Sequence, residues 1–114
     1  MKKFLALIMV IVALASMNVS VSANTLTYHH GNNNTDKKCY AQTEQTGNDS
    51  IGAKIKWQLS GSNATHWGPE VTGNGKYITS YSDYLGGYSG QSYGYFYHNG
   101  TNVWESTAWY SFSF

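Results

Sequence analysis

Apolar and polar residues alternate along much of this chain. The clearest run is AKIKWQLS, residues 53–60, with Ala53, Ile55, Trp57 and Leu59 on one side and Lys54, Lys56 and Gln58 on the other. A period of two marks a half-buried β-strand. NTLTYHH at 24–30, KCYAQT at 38–43 and KYITSY at 76–81 read as further strands. GNNNTD, EQTGNDSIG and GSNATHWGPE separate them as turns and loops, the last holding the single proline, Pro69. LGGYSGQ, rich in glycine, reads as flexible. No stretch after residue 23 has a helical period. About five to seven strands with frequent turns and no crossover helix predict an all-β fold, a small antiparallel β-sandwich or small barrel.

The C-terminal stretch SYGYFYHNGTNVWESTAWYSFSF predicts a hairpin turning at Asn99-Gly100, the preferred pair for a two-residue turn. An unbroken register from that turn pairs His98 with Thr101, Phe96 with Val103 and Tyr95 with Trp104. Directly opposed residues share a face. One face then holds Tyr93, Tyr95, Tyr97, Trp104, Ala108, Tyr110, Phe112 and Phe114. The other is mainly polar, with Phe96, Val103 and Trp109 among its residues. The aromatic-rich face is the expected core, because each large aromatic contributes about 1.5–3 kcal/mol on burial. Phe96, Val103 and Trp109 either pack under another element or form an exposed contact patch.

The N-terminus follows a different rule. Met1-Lys2-Lys3 is positive, residues 4–15 are almost wholly apolar, and Val21-Ser22-Ala23 ends in small residues. That order predicts a secretory signal peptide, residues 1–23, and a secreted domain, residues 24–114. The apolar run falls short of the roughly 20 residues that span a bilayer. The secreted part keeps five lysines, no arginine and six carboxylates, a formal charge of −1. Nucleic acid is therefore not an expected partner, since phosphate binding needs a clustered positive field. No membrane span is expected once the signal is removed, and no basic amphipathic helix is present to attack a membrane.

Chemistry-bearing residues are sparse. Cys39 is the single cysteine, so no internal disulfide forms. It is either a buried small hydrophobe or one half of an intermolecular bridge. His29 and His30 are adjacent and point to opposite faces of a strand, with His66 and His98 elsewhere. No zinc spacing, nucleophile elbow or metalloprotease motif occurs, so no metal, cofactor or catalytic residue is expected. The carboxylates Asp36, Glu44, Asp49, Glu70, Asp83 and Glu105 are scattered in turns or at strand ends. Tyr and Trp rings with many Asn, Gln, Ser and Thr side chains suit sugar recognition. His66-Trp67-Gly68 lies in a loop, where binding residues often sit. The candidate binding residues are Trp67, His66, Phe96 and Trp109.

YHHG at 28–31, NNNT at 32–35, YSDY at 81–84 and the aromatic C-terminus resemble elements of the lactococcin nine-seven-two class. That resemblance implies a secreted β-sandwich bacteriocin acting on cell-wall synthesis at the septum of related bacteria. In that family the tyrosine element runs directly into the double histidine, whereas here it lies downstream. The order from KKCYAQT to KYITSYSDYLGGYSGQSYGYFYHNG is also similar to short uncharacterised secreted proteins of Bacillus and clostridia. The functional expectation is a small secreted, non-enzymatic, bacteriocin-like protein acting at the envelope of other bacteria. Its partner would be a cell-wall precursor or surface polysaccharide. The alternative is a carbohydrate- or wall-binding matrix protein without toxicity, and self-association is a third possibility.

Overall fold

The structure, a computed structural model, describes residues 23–114. The expected signal segment lies outside the described residues except for Ala23. The chain forms β1 (Leu26–Asn33), β2 (Lys38–Gln45), β3 (Ile51–Leu59), β4 (His66–Trp67), β5 (Val71–Gly73), β6 (Tyr77–Tyr81), β7 (Ser89–His98), β8 (Thr101–Glu105) and β9 (Tyr110–Ser113). These make two antiparallel sheets packed as a sandwich. The smaller has the order β1-β2-β6. The larger is built on the pair β3 and β7, with β4 and β5 both on β3 and β8 and β9 both on β7. Among the described residues, no helix is long and apolar enough to cross a membrane.

The strand alternation reads directly into burial. Ala53, Ile55 and Trp57 of β3 and Cys39, Ala41 and Thr43 of β2 are buried between the sheets. Asn99 and Gly100 turn the chain with positive φ, 51° and 78°. Two such residues match the right-handed twist of the flanking strands. His98 lies opposite Thr101, as the turn predicts.

Beyond the turn, the expected face of β7 is reversed, whereas Trp104, Phe112 and Phe114 pack against the core as expected. A register shift between Phe96 and Tyr97 leaves Val103 as an extra residue, so Phe96 faces Trp104 and Tyr95 faces Glu105. Phe96 is fully buried, with Ser92 and Gly94 beside it on the inner face of β7. Tyr93, Tyr95 and Tyr97 point outward and are half-buried. The physical reason is the close approach of the sheets. A Cβ at Gly94 would stand 3.1 Å from that of Ala41, so the small residues mark the face the second sheet covers. Tyrosines can stay outside because their hydroxyls reach water. Tyr28 of β1 closes the core against Phe96 and stacks on Trp104, ring centroids 5.2 and 5.5 Å away.

The segment after β6, expected to be flexible, is tied down. Leu85 inserts into the core and its N–H donates to the Lys37 carbonyl at 2.8 Å. Gly87 N–H donates to the Phe114 carbonyl at 3.1 Å, and Phe114 N–H to the Tyr88 carbonyl at 3.0 Å.

Hydrogen bonds also stitch the sheets together. The Thr43 hydroxyl donates to the Gly52 carbonyl at 2.6 Å. Ser80 Oγ accepts from Ile55 N–H at 3.2 Å and donates to the Pro69 carbonyl at 2.6 Å. Ser106 Oγ accepts from Gly94 N–H at 2.9 Å and shares a hydrogen bond with His30 Nδ1 at 3.0 Å. His30 Nε2 shares a second hydrogen bond with Ser92 Oγ at 3.0 Å. Among the described residues, no buried side-chain nitrogen or oxygen lacks a partner. Cys39 is a free thiol at 0% exposure, and burial pushes its pKa up to about 11. An intermolecular disulfide therefore finds no exposed sulfur.

Two outcomes follow for unfolding in urea. Phe96→Ala lowers stability by about 3–5 kcal/mol, the range for emptying a buried aromatic site, whereas Tyr95→Ala costs less than half as much. Equal losses would contradict the assignment of faces. The second concerns pH. Burial holds the His30 pKa down to about 4 from 6.5, so the folded protein keeps a neutral ring. Between those values the unfolded chain binds more protons, and stability falls as pH drops through the window. His30→Gln removes that part of the slope; an unchanged slope would show that His30 does not cause it.

Candidate functional site

The outer face of the larger sheet gathers aromatic and cationic side chains from four separate segments. The β3–β7 register sets Lys54 opposite Tyr95 and Lys56 opposite Tyr93. On the other side of β3, Trp67 lies opposite Lys56. Gly68 locks that short strand in place, its N–H donating to the Ile55 carbonyl at 2.8 Å. A Cβ on Gly68 would come within 2.5 Å of Ile55 Cγ2 and 2.7 Å of the Tyr81 carbonyl oxygen, so glycine is needed for this approach. Trp109 arrives from the link between β8 and β9. Ser106 anchors the start of that link to β7, and Trp109 comes to rest on Tyr93 with centroids 5.4 Å apart.

The rings form a continuous row. Trp67 meets Tyr95 at 5.6 Å, and Tyr95 meets Tyr93 at 5.4 Å, with interplanar angles of 35° and 56°. Lys56 Nζ sits in the middle of this row. It is 4.7 Å from the Tyr93 centroid, 5.0 Å from Trp109, 5.1 Å from Tyr95 and 5.5 Å from Trp67. It also donates to the Tyr95 hydroxyl at 2.8 Å. Lys54 Nζ lies 4.6 Å from the Trp67 centroid. Each ring presents a negative π-face to the ammonium, and such contacts contribute about 0.5–2 kcal/mol depending on desolvation. The lysine thus orders the rings while they orient the lysine.

Acid residues border one end. Glu105 is opposite Tyr95. Desolvation first, and then the charge of Glu105, raises the pKa of Tyr93; desolvation and Glu70 do the same for Tyr97. Both phenols therefore stay protonated at neutral pH and remain donors. The face offers apolar ring surface, a fixed ammonium, phenol donors and a carboxylate rim. Those groups can hold a ligand with alternating apolar and hydroxylated surfaces.

Of the residues singled out in the sequence, Trp67 and Trp109 lie on this face, on opposite sides of Lys56. Trp67 is 49% exposed. His66 does not join them, because neighbours on a strand point to opposite sides. It stacks on Trp57 at 5.6 Å and covers that end of the core. Phe96 is withdrawn from solvent altogether and belongs to the core, not to a contact patch. Lys54, Lys56, Tyr93 and Tyr95 have other roles in the sequence reading, the lysines as a solvated strand face and the tyrosines as core. Their signal was the polar side of the 53–60 alternation beside the tyrosine side of 93–97, visible only once the two strands are known to be neighbours.

Two other histidines are paired with carboxylates away from this face. His29 pairs with Glu44 at 2.8 Å and His98 with Asp49 at 2.9 Å. Among the described residues, no three His, Cys, Asp or Glu side chains cluster as a metal site. A polar hollow of about 350 Å³ at the β3–β4 turn, lined by Gln58, Ser60, Asn63 and Gln91 among others, holds no aromatic ring. No protein-family model, curated protein or solved structure matches the chain.

If Lys56 organises the rings, Lys56→Met, which keeps most of the side-chain length, lowers unfolding free energy by about 1 kcal/mol. Lys54→Met costs less, because Lys54 contacts one ring of the row. Equal effects in urea denaturation would contradict the central position given to Lys56.

Proposed function

We propose that the protein is a secreted, non-enzymatic binder of bacterial envelope polysaccharide. The observation that carries this reading is the outward row of Trp67, Tyr95, Tyr93 and Trp109 around Lys56. Sugar rings have C–H faces that stack on aromatic rings and hydroxyls that bond to amides, phenols and ammonium groups. The row crosses from β4 over β3 to β7, about 10 Å at the usual strand spacing. An extended polymer would meet several of these rings at once. The formal charge of −1 in residues 24–114 counts against nucleic acid.

Binding at the envelope is also what a bacteriocin-like action would require. Growth inhibition separates the two: a panel of growing bacteria, viewed at their septa, is inhibited by a toxin and unaffected by a simple binder.

The test of binding is co-sedimentation with insoluble peptidoglycan and wall polysaccharide from Gram-positive cells. Trp67→Ala and Trp109→Ala are each expected to weaken retention about tenfold, consistent with roughly 1–3 kcal/mol per stacked aromatic in other ligand systems. Both should keep the far-ultraviolet circular dichroism of the wild type. Undiminished retention of the double variant would exclude this face as the binding surface.

A further inference from the structure

We propose that the smaller sheet carries a second saccharide site on its own outer face, so that one molecule joins two polymer chains. This rests on the polysaccharide reading above and extends it to a neutral sugar and a cross-linking role.

The register places Gly31, Tyr40 and Tyr81 in one row across β1, β2 and β6, with His29, Gln42 and Thr79 in the row beside it. An open cleft of about 380 Å³ lies here, lined by Asn32, Asn33, Asn34, Tyr40, Gln42 and Tyr81. The Tyr40 and Tyr81 rings are 6.4 Å apart and tilted by 51°, and Tyr81 is 42% exposed. The Tyr40 ring lies across β1 over Gly31, a spot where a Cβ would make only ordinary van der Waals contact. A Cβ there would stand 3.4 Å from the Tyr40 hydroxyl and 3.7 Å from the ring.

The polar groups are held in place. Gln42 Nε2 donates to Thr79 Oγ1 at 2.7 Å, which leaves its carbonyl oxygen to accept from a ligand hydroxyl. Asn33 is occupied in shaping the adjoining turn, accepting from the N–H groups of Thr35 and Asp36 at 3.1 and 3.0 Å. Asn34 stands exposed at the rim. The lining residues are themselves neutral, and the rim carries one charge of each sign: Lys38 Nζ lies 6.0 Å from the Tyr81 centroid, and Asp36 accepts from Asn33 Nδ2 at 3.1 Å. Two rings, amides and phenols with offsetting rim charges complement a neutral, hydroxyl-rich chain better than an anionic one.

The two sites face away from each other across the sandwich. Sheets pack about 10 Å apart, so a single chain lying flat on one face does not touch the other. Occupying both requires two chains, and the second attachment then gains from the raised local concentration.

The experiment uses high-molecular-weight solubilised peptidoglycan. Light scattering follows clustering as protein is added, and affinity capture on immobilised peptidoglycan measures binding. Wild type is expected to bind and to cluster the polymer. Tyr40→Ala/Tyr81→Ala should still bind through the larger sheet but need at least tenfold more protein to cluster. Tyr81→Ser alone, on an edge strand and away from Gly31, guards against misfolding of the double variant and should show the same loss in smaller measure. Clustering by folded Tyr81→Ser and Tyr40→Ala/Tyr81→Ala at wild-type concentrations overturns the second site and leaves the first reading standing. Absence of wild-type binding overturns both.

Discussion

The close approach of the two sheets along β7 is the constraint from which the rest of the architecture follows. Ser92, Gly94 and Phe96 turn inward because only small side chains and one ring fit beneath Ala41 and Cys39. Once those residues face in, Tyr93, Tyr95 and Tyr97 must face out, since successive strand residues alternate. The aromatic row of the candidate site is thus the obverse of the core. β7 serves both sides, and neither side can be altered without the register of the other.

Much of the fold was legible in the sequence, for definite reasons. The 53–60 strand announced itself by strict alternation, and Asn99-Gly100 by backbone angles few residue types tolerate. The face of β7 was not legible. Aromatic bulk is an ambiguous mark of the core, because tyrosine keeps a polar tip and glycine or serine can be the buried partner. The extra residue Val103 broke the assumed register, so Trp104, Phe112 and Phe114 reach the core as counted while the tyrosines of β7 do not. The candidate site was half legible: Trp67 and Trp109 could be picked out singly, but their shared neighbour Lys56 depends on long-range strand pairing.

A domain of this size without a disulfide has few sources of rigidity. Here buried hydroxyls and one histidine supply part of it. Thr43, Ser80, Ser82, Ser92 and Ser106 are all buried, and several bond to backbone groups in another strand. Their satisfaction matters because a buried polar group left unpaired costs about 1–3 kcal/mol. His30 joins Ser92 to Ser106 and so ties β1 to β7 and to the segment that carries Trp109. The core network thereby helps position a side chain on the opposite, solvent-facing side of the sheet.

The division of labour along the margins of the larger sheet has a further consequence. One margin is made of β5 and β4 in succession, three and two residues long, and the other of β8 and β9, five and four residues long. Neither offers a long, straight row of unpaired backbone donors and acceptors to another molecule. Such interrupted borders disfavour strand addition, the usual route to ordered aggregates. The sheet that displays the most aromatic surface is thus the one least suited to grow into a fibre, which lets a ring-rich face stay open to solvent at high protein concentration.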